Sequence, residues 1–313
     1  MRADWVAASV RARSMAQRRV GAGTCREVAA MASLPTAAEA LADSVYGPDL
    51  TAARSLGDAQ HATRRTVLWQ LRVLAGWLPA GGTPLIRAAA ARFEADNIIA
   101  LAAALHTGTL PAGTDMAPAP LYDLGGLATA WPRLRTAESP ETLHAMLAAS
   151  PWGDPGTAAQ LPDILTAVWL RRLAGAAAGA RPWAVSAAVL LAARLLLVDR
   201  TRPPDRLVSL LRPLLGTGWT DAASLPELAV SLSPAAGRAL SATQDPQGLW
   251  RAEVQLAAQV ETDGFGLLRA GLPGPDVVLG AMAVLAADAW RVRAALAAAA
   301  AGTGGSEVLD AVA

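Results

Sequence analysis

The sequence contains no lysine; all 27 basic residues are arginine. That absence excludes a P-loop lysine on phosphate and a Schiff-base lysine, because both chemistries need the amine. Cysteine is almost missing too. Cys25 stands alone, so no disulfide forms within the chain and no cysteine-based zinc cluster is available. A lone thiol fits a reducing compartment. Only 2 Tyr and 2 Phe occur, Ile is scarce and β-branched runs are short. Strands draw on those residue types, so little here favours a sheet. An excess of charge of one sign is also lacking. A formal net charge of +1 gives no field that would attract nucleic acid, and no nucleic-acid partner is expected.

What fills the chain is apolar. Hydrophobic residues make up 53%, much of it alanine, the strongest helix former. The fold class read from this is all-α. At 313 residues the chain is long enough for two or three domain-sized units or one array of repeats.

Prolines and glycines cut it into helix-length pieces. The strongest breaks are Gly47-Pro48, Pro79 to Pro84, Gly108 to Pro120, Pro151 to Pro155, Pro203-Pro204, Gly216 to Gly218 and Pro273 to Pro275. Proline lacks the amide proton that a helix interior needs, so these mark boundaries. Between them the helical period is clear. Ile98, Leu101, Ala102 and Leu105 fall at i, i+3, i+4 and i+7, and Met282, Leu285, Ala289, Val292 and Leu296 form a second stripe. On that pattern Asp288, Arg291 and Arg293 lie off the buried face.

Two stretches approach membrane length. Trp183 to Val198 contains Arg194, and Val277 to Ala301 contains Asp288, Arg291 and Arg293. A charge near the bilayer centre costs about 2.5–3.5 kcal/mol on insertion scales, so both read as buried core helices. Met1 to Gln17 carries Arg2, Arg11 and Arg13 without a long apolar core, unlike a signal peptide. The basic segment Met1 to Arg26 is open to two readings: a contact for an acidic partner or anionic lipid surface, or a solvated helix face.

An internal repeat is visible. Leu34-Pro35-Thr36-Ala37-Ala38-Glu39-Ala40-Leu41 is followed by Ser44-Val45-Tyr46-Gly47. Ser139-Pro140-Glu141-Thr142-Leu143-His144-Ala145-Met146 is followed by Ser150-Pro151-Trp152-Gly153, with one inserted residue. A fainter third copy begins at Leu225-Pro226-Glu227-Leu228. Each precedes a long alanine-rich helix, expected over Arg87 to His106, Ser186 to Arg200 and Val277 to Ala301. Three related helical units follow, at 1–112, 113–208 and 209–313.

Reactive chemistry is sparse. His61, His106 and His144 are far apart and fit no metal spacing. There is no G-x-S-x-G, no aspartate-rich Mg²⁺ motif, and Cys25 has no histidine nearby in sequence. Gly21-Ala22-Gly23 and Gly302 to Gly305 read as helix ends rather than phosphate loops. No catalytic residue, metal ligand or cofactor is assigned.

The segment Phe93-Glu94-Ala95-Asp96-Asn97-Ile98-Ile99-Ala100-Leu101 resembles the signature of the C/d-type connector of the A/V-type rotary ATPases. The resemblance extends to the upstream Leu34 to Leu41 segment with its Tyr46-Gly47 turn. It extends also to a last long helix mixing acids and arginines, Asp288-Ala289-Trp290-Arg291-Val292-Arg293, before Gly302 to Gly305 and a short helix over Glu307 to Val312. The order and spacing of these pieces carry it, over nearly the whole chain. Three departures exist: no acid-asparagine pair stands at Arg194 to Asp199, Arg291 and Arg293 stand where an asparagine is expected nearby, and the chain is unusually alanine-rich. The resemblance implies a non-catalytic central-stalk connector with a funnel of three helical units in pseudo-threefold arrangement. Its implied partners are a rotor shaft subunit and a membrane proteolipid ring, and its implied location is peripheral on the cytoplasmic face. Glu94, Asp96, Asn97, Arg291 and Arg293 are the candidate residues, either for partner contact or for internal pairing between helices. Two other readings stay open: a helical-repeat scaffold unrelated to rotary ATPases, and an all-helical enzyme with acids or histidines converging on a deep apolar pocket.

Overall fold

The computed structural model describes residues 2–108, 121–269 and 271–310. Among them every regular element is a helix and none is a strand, so the fold class is all-α. In chain order the α-helices are α1 (Val6–Gln17), α2 (Ala22–Ala29), α3 (Leu34–Ala40), α4 (Gly47–Leu50), α5 (Leu56–Ala75), α6 (Thr83–Thr107), α7 (Trp131–Leu134), α8 (Pro140–Ala148), α9 (Leu161–Ala176), α10 (Arg181–Ala193), α11 (Asp205–Leu215), α12 (Leu225–Ser231), α13 (Pro234–Gly237), α14 (Leu249–Arg269), α15 (Pro275–Ala301) and α16 (Glu307–Asp310).

Proline sets most of the starts. It occupies the first turn of α3, α4, α7, α8, α9, α10, α12, α13 and α15. There its missing amide costs nothing and its fixed φ suits the helix. Serines add caps: Ser33, Ser55, Ser139 and Ser224 each accept from an amide of the first turn. At Ser55 the bond is returned by Asp58, closing a capping box. The break expected from Gly108 to Pro120 lies, beyond Gly108, outside the described residues, as does the expected unit boundary at 112/113.

The chain divides into two compact units. The first joins Met1–Thr83 to Trp250–Ala313; the second is contiguous, Pro84–Leu249. The first unit draws on both ends of the chain, and the reason is packing. The long α15 lies against α1, α2, α3 and α5, so the two ends of the chain share one core. α15 is buried nearly all round, and Asp288 (0% exposed) and Arg291 (4%) are inside with it. The stripe that left these two off the buried face is therefore corrected: a helix surrounded by neighbours needs no polar face, and its charges are paired internally instead. Arg293 is half-buried. α14 crosses α15 closely, because a Cβ at Gly280 would lie 2.6 Å from the Gly264 carbonyl.

In the second unit α9, α10 and α11 pack on one another. The helix expected over Ser186 to Arg200 is α10, which passes into a π-helical turn over Arg194–Val198. Arg194 ties that turn to Asp163 of α9 and to Asp199. Ala178–Val198 is, among the described residues, the one stretch long and apolar enough to cross a membrane, and half of its apolar window is buried inside the fold. That burial is the packing of α10 on its neighbours.

The first two of the three expected copies share a local motif. The caps are Ser33 and Ser139, and from them the register holds at a constant offset of 106 (33 to 139, 44 to 150, 46 to 152, 47 to 153) with no insertion. Ser44 Oγ donates to Leu41 O and accepts from Tyr46 N; Ser150 Oγ donates to Leu147 O and accepts from Trp152 N. Tyr46 and Trp152 are both buried. At Gly47 a Cβ would sit 1.8 Å from the Ala42 carbonyl, so only glycine fits that turn.

Candidate functional site

The sequence candidates fall in two places, one in each unit. On α6, Glu94 is fully buried and its carboxylate accepts from the amides of Thr129, Ala130 and Trp131. Ala130 and Trp131 lie 2.6 Å away. These amides open α7, and the first amides of a helix have no partner within it. A negative charge there also meets the positive end of the helix dipole. One turn along, Asn97 is 1% exposed and closes a two-way amide clasp with Tyr122: its Nδ2 donates to Tyr122 O at 2.8 Å and its Oδ1 accepts from Tyr122 N at 2.8 Å. Phe93 stacks edge-on against the Tyr122 ring. Asp96 points away from that clasp, toward Arg92 at i−4 and 3.2 Å. Glu94 and Asn97 thus pin both ends of the segment from Tyr122 to Trp131, and Asp96 sits in a half-exposed ion pair.

α15 repeats the device at an offset of 194 (94 to 288, 97 to 291). Asp288 accepts from Val20 N (3.1 Å), Gly21 N (2.8 Å) and Tyr46 Oη (2.9 Å). Gly21 is the N-cap of α2, so this carboxylate also holds the start of a helix. Burial raises the Asp288 carboxyl above its ordinary value, against the pull of those donors and Arg19. Arg291, in the position of Asn97, pairs through both terminal nitrogens with Glu261 of α14. Arg293 donates to the Gln60 side chain, which returns a bond to the Arg293 carbonyl at 2.9 Å.

Sequence reasoning found the residues on α6 and missed the role of Asp288, which is aimed at chain positions more than 240 residues away. Its one legible signal was the shared spacing of acid and i+3 partner on two long helices. α10 carries no matching acid, and the helix that follows it, α11, is preceded by Pro203-Pro204. Two prolines bring no amide protons, so that helix start asks for less from a carboxylate.

The remaining reactive groups are accounted for individually. Cys25 is buried, and its thiol is pushed up to about 12 by burial first and then by Asp288, which suppresses the nucleophilic thiolate. Tyr46 is raised well above its ordinary value for the same two reasons. His61 is pulled down by burial and by Arg65 and Arg64. His106 Nδ1 faces the Ala102 carbonyl at 3.2 Å, and His144 is exposed. Among the described residues no three metal-ligating side chains converge. A hollow of ≈ 650 Å³ is walled by Tyr122, Asp123, Trp131, Pro132 and Arg135 of the second unit; one acid and no histidine line it.

The basic N-terminal segment is tied inward at several points. Arg13 donates to the Leu268 carbonyl near the end of α14, and Arg19 lies 4.8 Å over the Phe265 ring. These two arginines hold α14 rather than forming part of a free solvated face.

No protein-family model matches the chain, and a comparison with curated proteins finds no match.

Proposed function

We propose that this chain is a non-catalytic connector in the central stalk of a V/A-type rotary ATPase, linking the rotor shaft to the proteolipid ring on the cytoplasmic face of the membrane. The observation that supports the reading is the matched pair of helix-capping carboxylates, Glu94 on α6 and Asp288 on α15, each set in a long alanine-rich helix. A connector that passes torque needs stiffness and contact area rather than a reactive centre. Buried carboxylates that clamp helix starts, and close-packed alanine-rich helices, supply stiffness. Three related units about a pseudo-threefold axis would give a shaft several equivalent contacts, so that shear is shared.

On this reading Asp96 and its partner Arg92 are better placed to meet a partner than Glu94, Asn97 or Arg291, whose polar groups are used inside the fold. Rim charges of that kind chiefly set orientation and on-rate. The test is reconstitution of the chain with its own organism's shaft and ring proteins, followed by co-purification at low and moderate salt. Binding that weakens with salt without vanishing is the expected result. Failure to hold either partner at low salt, with every component folded, rejects the role and leaves a helical-repeat scaffold.

A further inference from the structure

Charged groups inside this protein are generally matched. Arg13 caps α14, Arg194 meets Asp163 and Asp199, and Arg291 meets Glu261. Arg11 of the first unit and two part-buried arginines of the second break that pattern, and the second-unit pair meets at one turn. Arg172 of α9 and Arg206 of the first turn of α11 form no hydrogen bond or ion pair with any described residue. One guanidinium nitrogen of each, Nη2 of Arg172 and Nε of Arg206, is fully buried with no acceptor. Leaving a charged donor buried and unpaired is among the costlier arrangements a fold can hold.

The two side chains meet one turn. The Arg172 guanidinium lies 4.1 Å over the ring of Trp152. A Cβ on the next residue, Gly153, would fall 2.5 Å from Nη2 of Arg206. Gly153 has φ +73, so its lack of a side chain serves the turn as well as the guanidinium beside it. The Trp152 indole Nε1 is a third buried donor without an acceptor. Three side chains that meet or belong to this turn thus each carry a buried donor that no acceptor among the described residues answers. Glu94 is the acid whose field reaches Arg172, but its oxygens are taken by the amides of Thr129, Ala130 and Trp131.

We infer that Arg172 and Arg206, on either side of the Trp152-Gly153 turn, form a binding site for a small oxyanion, a phosphate or a carboxylate. Guanidinium forks and an indole N–H match an anion with several oxygens better than a spherical one. Both arginine side chains are half-buried rather than sealed as a whole. Burial pulls the Arg172 guanidinium below its ordinary value, against the field of Glu94. The site is independent of the proposed coupling role.

Isothermal titration of the whole chain, at ionic strength fixed with chloride, tests this with inorganic phosphate in one arm and acetate in the other. Binding in either arm is expected, and the stronger arm identifies the class of oxyanion. Arg172→Gln and Arg206→Gln should each lower the affinity at least tenfold, while Arg171→Gln, an exposed neighbour, leaves it unchanged. Should an arginine variant fail to fold by circular dichroism, Trp152→Phe removes only the indole N–H and should weaken binding several-fold. Absence of binding in both arms into the millimolar range overturns the site and assigns the three donors to water. Equal affinity in the folded variants overturns it as well.

Discussion

Glu94 shows how one side chain can fix a segment it does not belong to. Its carboxylate satisfies three consecutive amides at the start of α7. Each buried donor left without an acceptor costs about 1–3 kcal/mol, and removing the acceptor exposes all three at once. Glu94→Ala should therefore destabilise by about 3–5 kcal/mol, read as a lowered midpoint in urea at unchanged slope. Glu94→Gln keeps one acceptor oxygen and should lose less. Asp288 does the same work for α2, but its pH behaviour has a definite sign. Its folded-state value is raised above the ordinary 3.8, burial being the largest cause. A raised acid is protonated more readily in the fold than in the unfolded chain. Its contribution is thus fully present below the ordinary value and is lost as pH rises through the folded value. Asn mimics the protonated form and does not titrate. The stability of the natural protein relative to Asp288→Asn should fall as pH climbs from 3.8 through that window, measured by denaturation at a series of pH values. A difference that rises over the same window would contradict the dominance of burial at this carboxyl.

At the scale of the element, much was legible in the letters and the reasons are plain. Proline and glycine act locally, so the starts of α3, α8, α12 and α15 could be read directly. Alanine content settled the helical class for the same reason. The buried faces were harder. α15 is apolar all round, so its stripe carries little information about which side meets which neighbour, and Asp288 and Arg291 looked solvated because their partners lie in distant segments. The orphaned pair Arg172 and Arg206 gave no sequence signal at all, since each stands among ordinary helical neighbours. Close crossings are likewise invisible until helices are placed. Gly280 in α15 faces the Gly264 carbonyl of α14, with 2.6 Å left for a Cβ and backbone rather than a flexible side chain in the way. Gly280→Ala should cost about 1–3 kcal/mol through overpacking, seen as a lower melting temperature. Gly266→Ala on α14 meets nothing within 4 Å and serves as the control.

For the whole molecule, the consequential fact is that the first unit is built from both ends of the chain. α15 is the element against which α1, α2, α3 and α5 are packed. Without it the buried faces of α1, α2, α3 and α5 would lose part of their cover, and Val20, Gly21 and Tyr46 would lose the acceptor that Asp288 provides. Short helices rarely persist alone in water, because nucleation is costly and most of their stability comes from packing. A fragment of residues 1–83 should therefore be largely unfolded by circular dichroism and regain helix when residues 250–313 are added in trans. The second unit is contiguous and keeps α9, α10 and α11 together with the Glu94 and Asn97 clasps. A fragment of residues 84–249 should accordingly fold alone, with a cooperative thermal transition and slow amide exchange in α9 and α10. If 1–83 folds by itself, the clamp at Asp288 is dispensable. If 84–249 melts without cooperativity, the second unit depends for its stability on residues outside it.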